Sequence, residues 1–197
     1  MSENVRVRSS TRMQRPRSSP PRSPLTRRPS GVAWLLIVTT AFAAAAPAED
    51  PSTWPELSPP GGGSSIRMPE IPKDQNPAQG VHVFQFTRDQ AMWVTSFIAL
   101  TGDMKKKPAQ EYLDELRAAF LQMLPESKLV SSASWSAGGF PGIKCVIDAH
   151  AEGQPEYRLK MTGLVTSDRL ISFGYSCRKE AFVESAVDSY LATFRLD

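Results

Sequence analysis

Two cysteines, two histidines and one run of three lysines are the residues of this 197-residue chain whose types and positions bear on chemistry. Cys145 and Cys177 come first, because thiols in an oxidising compartment tend to pair. A Cys145–Cys177 disulfide is one reading and two buried thiols are the other. In a strict antiparallel register Cys145 falls opposite Met161 and Met161 opposite Phe173. Cys177 then lies two strands and about four residues away, beyond the ~7 Å Cα separation a disulfide spans. Sheet twist or a bulge would alter that register. A Cys145–His150 nucleophile pair fails on parity, since residues an odd number apart on one strand point to opposite faces. His82 and His150 lack any H-x-x-x-H or C-x-x-C setting, so no metal site is expected. Asp148 and His150 share a strand face, with solvated side chains as the simpler reading.

Asp148, Glu152 and Glu156 have helical spacing, but Gly153 and Pro155 lie between them and make the segment a hairpin loop. Its acids are then solubilising. There is no G-x-S-x-G or phosphate-loop signature, and no cofactor is expected. Lys105-Lys106-Lys107 precedes a helix N-terminus, where cations oppose the helix dipole and free amides attract anions. A phosphate or anionic-lipid contact at Lys105, Lys106 and Lys107 is therefore one expectation, and a solvated basic turn is the other.

The elements that must position these residues follow a leader. Eight arginines and only Glu3 among the acids occupy the first thirty residues, and Gly31 to Ala48 carries no charge. A basic arm, an apolar run and small residues at a cut describe a secretory signal. Ala46-Pro47-Ala48 fits an A-x-A cut between Ala48 and Glu49, which makes residues 1–48 a signal peptide. A retained anchor is the rival, but a span needs about 20 apolar residues and the alanine-rich end is weakly hydrophobic. If kept, the anchor would be the only membrane contact. The whole chain is +3, from 23 bases and 20 acids. Beyond residue 48 there remain fifteen bases and nineteen acids, so the rest is mildly acidic, which argues against nucleic acid as partner.

Residues 49–80 hold seven prolines and Gly61-Gly62-Gly63-Ser64-Ser65, and read as a disordered linker. Residues 81–197 are the length of one domain. His82 to Phe86 alternates as a strand, Arg88-Asp89-Gln90 turns, and Met92 to Leu100 reads as a second strand. Behind Pro108, Leu113, Leu116, Phe120, Met123 and Leu124 recur at helical spacing until Pro125. Four strands follow. Leu129, Ala133 and Trp135 share one side of the first, and Gly138 to Gly142 turns the chain. Ile143, Cys145 and Ile147 alternate on the next, Tyr157, Leu159 and Met161 on the third, and Ile171, Phe173, Tyr175 and Cys177 on the last. That alternation predicts an antiparallel meander with one buried face. A closing helix over about 179–194 carries Val183, Val187, Tyr190, Leu191 and Phe194 on its apolar side.

This order, with Leu124-Pro125, Gly139-Phe140-Pro141-Gly142, Asp168-Arg169-Leu170 and Ala192-Thr193-Phe194-Arg195-Leu196, resembles the PsbP-like superfamily. That superfamily includes the extrinsic oxygen-evolving subunit of photosystem II, a Ran-binding nuclear import factor and bacterial envelope proteins of the DcrB type. The resemblance covers residues 81–197. It implies an α+β fold, an antiparallel sheet of about six strands flanked by helices in an α/β/α sandwich, and a binding or stabilising subunit. It carries over no functional residue and no ligand. The expected function is a non-catalytic binding or accessory module, exported to the periplasm or secreted, with an envelope protein as partner. An unrecognised small-molecule-binding or hydrolytic enzyme and a membrane-anchored structural protein are the alternatives.

Overall fold

Alternating strands and two amphipathic helices assemble into a three-layer structure. The computed structural model describes residues 49–75, 80–124, 126–150 and 152–197. The expected signal peptide, Ala48 of its cut and the helix stop at Pro125 lie outside the described residues. Six strands form the central sheet: β3 (Val81–Arg88), β4 (Ala91–Ala99), β5 (Lys128–Ala137), β6 (Phe140–Ala149), β7 (Tyr157–Val165) and β8 (Arg169–Arg178). Their order is β3-β4-β8-β7-β6-β5, antiparallel throughout. The β3–β4 hairpin and the β5-to-β8 meander meet at the β4–β8 seam.

Helix α1 (Ala109–Met123) packs on one face, beneath β6 and β7. Gly163 is what lets it approach: a Cβ there would stand 2.5 Å from Leu116 Cδ2. Tyr112, Leu113, Leu116 and Phe120 form its buried stripe, as the spacing predicts.

The opposite face is covered by a strap drawn from both ends of the described chain. A 3-10 turn at Pro51–Thr53, β1 (Glu56–Leu57) and β2 (Ser64–Arg67) come from the segment expected to be a linker. Helix α2 (Glu184–Leu191) and β9 (Arg195–Leu196) come from the C-terminal end. The order β1-β2-β9 makes a small second sheet. Disorder over residues 49–75 is thus corrected. Trp54, Leu57, Ile66 and Met68 are buried, and Trp54 meets Trp93 edge-on at 5.9 Å and Tyr190 at 6.2 Å. Few large apolar groups suffice here because they are spaced to fall on a sheet whose aromatic face is otherwise bare, so tertiary burial offsets the entropy of a proline-rich chain.

The single buried face is also corrected. Met161 stands opposite Gly174, not Phe173, and Val165 opposite Leu170. The connection is one residue longer than Thr166-Ser167-Asp168, because Arg169 closes it: its N–H donates to Thr166 Oγ1 at 3.0 Å and its carbonyl accepts from Thr166 N–H at 2.8 Å. One residue of register exchanges the two faces. The apolar rows of β6 and β7 therefore face α1, while Ile171, Phe173, Tyr175 and Cys177 of β8 face the strap.

A bulge between Leu129 and Ser131 acts alike in β5. Leu129 lies opposite Ile147 on the α1 face, whereas Ala133 and Trp135, opposite Lys144 and Gly142, lie on the strap face. The closing helix is shorter than its pattern. A 3-10 turn occupies Lys179–Ala181, and Val183 caps α2 with 58% of its surface exposed.

Candidate ligand-binding cleft

Helix α2 spans only eight residues, so the strap face is left open beyond its end, toward β5 and β6. A cleft of about 670 Å³ lies there. One wall is the β5–β6 hairpin, with Trp135, Ala137 and Gly138. The floor is Lys144, Thr162 and Phe173, and the far wall runs from Asp188 and Leu191 to Phe194, Arg195 and Leu196.

The hairpin sets this wall. Gly138 and Gly139 have φ of 57° and 81°, the left-handed pair of a two-residue turn, so the strand pairing begins at Ala137 opposite Phe140. Counting back along both strands puts Trp135 opposite Gly142 and Ala133 opposite Lys144. A Cβ on Gly142 would stand 2.6 Å from Trp135 Cε3 and 2.6 Å from the Gly163 carbonyl oxygen. The missing side chain is thus what lets the indole lie down on the sheet. Trp135 then meets Phe173 at 6.3 Å and Phe194 at 6.2 Å, both edge-on, and those two phenyl rings stack at 4.6 Å.

Lys144 lies half-buried with its ammonium 5.3 Å from the centre of the Trp135 ring. No carboxylate pairs with it among the described residues. Every other buried or half-buried lysine or arginine described has a carboxylate partner. Lys160, on the same face, shows the contrast: its ammonium donates to Glu184 at 2.9 Å and reaches Asp188 at 2.7 Å. Burial opposes the charge on Lys160, but the bonds to Asp188 and Glu184 outweigh it and hold its pKa above the ordinary lysine value. Thr162 stands opposite Lys144 in the β6–β7 ladder, fully buried, and its hydroxyl has no hydrogen-bond partner among the described residues. Arg195, exposed at the rim, donates to the carbonyls of Ala192 at 2.7 Å and Phe194 at 3.0 Å.

The residues singled out from the sequence do not converge on this cleft. Cys145 and Cys177 are free thiols, both buried. Cys145 faces α1 beside Ser132 Oγ at 3.6 Å, while Cys177 faces the strap, so a disulfide between them would have to pass through the sheet. The bridged reading is thereby set aside. Burial pushes both thiols above the ordinary cysteine range, against the needs of a nucleophile.

The lysine run is largely spoken for. Lys106 pairs with Asp103 at 2.7 Å, Lys107 pairs with Glu115 and lies 4.6 Å from the Tyr112 ring centre, and Lys105 is exposed. Lys106 and Lys107 are thus drawn to different carboxylates. Asp148 accepts two hydrogen bonds from Arg158, at 2.7 and 2.9 Å, and lies 3.1 Å from Lys179. Arg158 first and Lys179 next hold the Asp148 carboxyl below its ordinary value against the opposing effect of burial. His82 Nδ1 is 2.5 Å from Asp74, which ties the end of the strap segment to β3, while His150 is exposed in a loop. Glu49, expected to follow the cut, accepts from Arg88 at 2.8 Å and from the Trp54 indole at 3.2 Å.

The architecture is shared with a solved structure. Cyanobacterial PsbP (CyanoP) from Synechocystis sp. PCC 6803 superposes with a TM-score of 0.56 at 15% identity, over 73% of this chain and 92% of that one. The fold is PsbP-like. A protein of unknown function from Pseudomonas aeruginosa, PA94, is also similar, at a TM-score of 0.41 and 16% identity over 59% of this chain and 78% of that one. No protein-family model matches the chain, and no curated protein matches it in sequence. At such identities the PsbP-like likeness concerns the path of the backbone. The cleft has to be judged on its own residues. Among the described residues no helix is long and apolar enough to cross a membrane, a statement that does not bear on strands.

Proposed function

We propose that this PsbP-like chain is an exported, non-catalytic binding or accessory module of the cell envelope, acting through the strap-face cleft. The observation that carries the reading is the cleft itself. It is a concave aromatic site with one half-buried cation, Lys144, that lacks a carboxylate partner among the described residues. Binding sites combine an apolar lining with a few placed polar groups. Catalysis by proton transfer or nucleophilic attack needs titratable groups that converge. Around this cleft the carboxylate Asp188 is already held by Lys160 at 2.7 Å, and both thiols lie elsewhere. Export is supported by the arginine-rich arm, the uncharged run to Ala48 and the acidic balance beyond it.

The test is expression of the full chain in a bacterial envelope, crosslinking in place, and mass spectrometry of what is recovered. The expected result is a chain beginning at Glu49, with a reproducible partner or ligand that is lost from a Lys144→Met variant. The same captured set from both chains would remove the cleft from the reading. A chain that still carries residues 1–48 in the membrane fraction would replace export in free form with an anchor.

A further inference from the structure

The chemistry of the cleft narrows what it holds, given the binding reading above. We propose that it takes a small amphipathic anion, with an acid group on Lys144 and an apolar body against Trp135, Ala137 and Leu196. Three charged side chains line the cleft: Lys144, Asp188 and Arg195. Asp188 is paired with Lys160 at 2.7 Å, an ammonium it shares with Glu184 at 2.9 Å. With Lys160 and Glu184 counted beside the lining groups, the cations Lys144, Arg195 and Lys160 face the carboxylates Asp188 and Glu184, so the balance around the cleft is positive. Of the two lining cations Lys144 is the better placed, being half-buried on the floor while Arg195 is exposed at the rim.

Its ammonium has three donors and, in this structure, a ring face as its charge partner. Elsewhere in the described molecule each cation so far removed from water is given a carboxylate. A cation left without one, in a concave site, is completed by an anion from outside. The neighbouring group in the ladder, the Thr162 hydroxyl, is unpartnered as well. The walls specify the rest of the ligand. Trp135, Ala137 and Leu196 are half-buried and apolar, and Phe173 and Phe194 back them. A volume of about 670 Å³ suits one small molecule, such as an aromatic or short acyl acid, and is too small for a folded partner.

Two dyes of the same shape separate charge from shape. Anilinonaphthalene sulfonate carries an anion on a flat apolar body, and phenylnaphthylamine is its neutral counterpart. Each would be titrated by fluorescence into the purified full chain, into Lys144→Met, Lys144→Arg and Trp135→Ala, and into Lys105→Met as a distant control. Thermal melts would confirm that each variant is folded. The expected result is that Lys144→Met weakens the anionic dye roughly tenfold or more, the loss of one charge-assisted hydrogen bond. The neutral dye should be unchanged in that variant, Lys144→Arg should restore the anionic dye, and Lys105→Met should alter neither. Equal binding of both dyes, lost in Trp135→Ala but indifferent to Lys144, would overturn the anion and leave the cleft as a binding site. Binding of neither dye would overturn the small ligand, and the crosslinking experiment would then decide the binding reading alone.

Discussion

Thr162 is buried beside Lys144 with a hydroxyl that nothing in the described structure satisfies. A buried polar group without a partner is destabilising, and valine has nearly the same shape. Thr162→Val should therefore raise the unfolding free energy by about 1 kcal/mol in urea titrations. A loss of stability instead would mean that the hydroxyl has a partner, such as a bound water. Asp148 makes the opposite case, a carboxylate whose bonds to Arg158 and Lys179 stabilise its charge. Its folded pKa is depressed, so its contribution is complete above the ordinary aspartate value of 3.8 and is lost as pH falls through the lowered one. Melting temperature should fall with pH below about 4 more steeply in the native chain than in Asp148→Asn, which has no such proton to take up. Equal slopes would remove Asp148 from the acid response. The cysteines are predictable at the same scale. Iodoacetamide should leave both thiols unmodified in the folded chain and modify both after unfolding without reductant, as read by intact mass. A failure to label after unfolding would mean that a bridge exists.

Among the elements, the central sheet depends on glycines whose missing side chains receive a neighbour. Gly142 and Gly163 show how the same close distance has different costs. A Cβ at Gly163 meets the end of the Leu116 side chain, which can shift, whereas a Cβ at Gly142 meets the Gly163 carbonyl as well as the Trp135 ring. Gly142→Ala should thus cost about 2–3 kcal/mol and Gly163→Ala about 1 kcal/mol, measured by chemical denaturation. Gly142→Ala should also shift the emission of Trp135, and the reverse order of costs would refute the account. These elements show where the sequence was legible. Alternation and spacing located the strands of the main sheet, α1 and the apolar rows of β6, β7 and β8, but not that of β5. They missed which faces coincide, because that rests on single residues: Arg169 closing its turn, the bulge after Leu129, and Gly138-Gly139 as a two-residue turn. Had that last turn been placed at two residues, the opposition of Trp135 to Gly142 and of Ala133 to Lys144 would have followed by counting, and with it one wall of the cleft. That no carboxylate pairs with Lys144 among the described residues depends on side chains distant in sequence, Asp188 being drawn to Lys160 instead, and had no local signal. The strap was illegible for a related reason. Trp54, Leu57, Ile66 and Met68 gain their stability from a surface more than twenty residues away in sequence, not from any periodicity of their own.

At the scale of the whole molecule, the strap joins the strap-face core directly. Trp54 is 8% exposed and packs on Trp93 and Tyr190. Trp54→Ala should cost about 3 kcal/mol or more, as large aromatic truncations in cores do, and a surface linker would lose almost nothing. The pairing that fastens the strap has a further consequence. Ser64 and Ser65 of β2 lie opposite Leu196 and Arg195 of β9, so residues far apart in sequence hold each other. Contacts of such long sequence separation form late and slowly, since loop closure precedes any gain from them. Until Arg195 and Leu196 have been synthesised, the β2–β9 ladder does not exist, and β2 lacks that partner. The β2–β9 ladder therefore acts as a latch: Ser64 and Ser65 wait unpaired until Arg195 and Leu196 have been made and can fold back onto them.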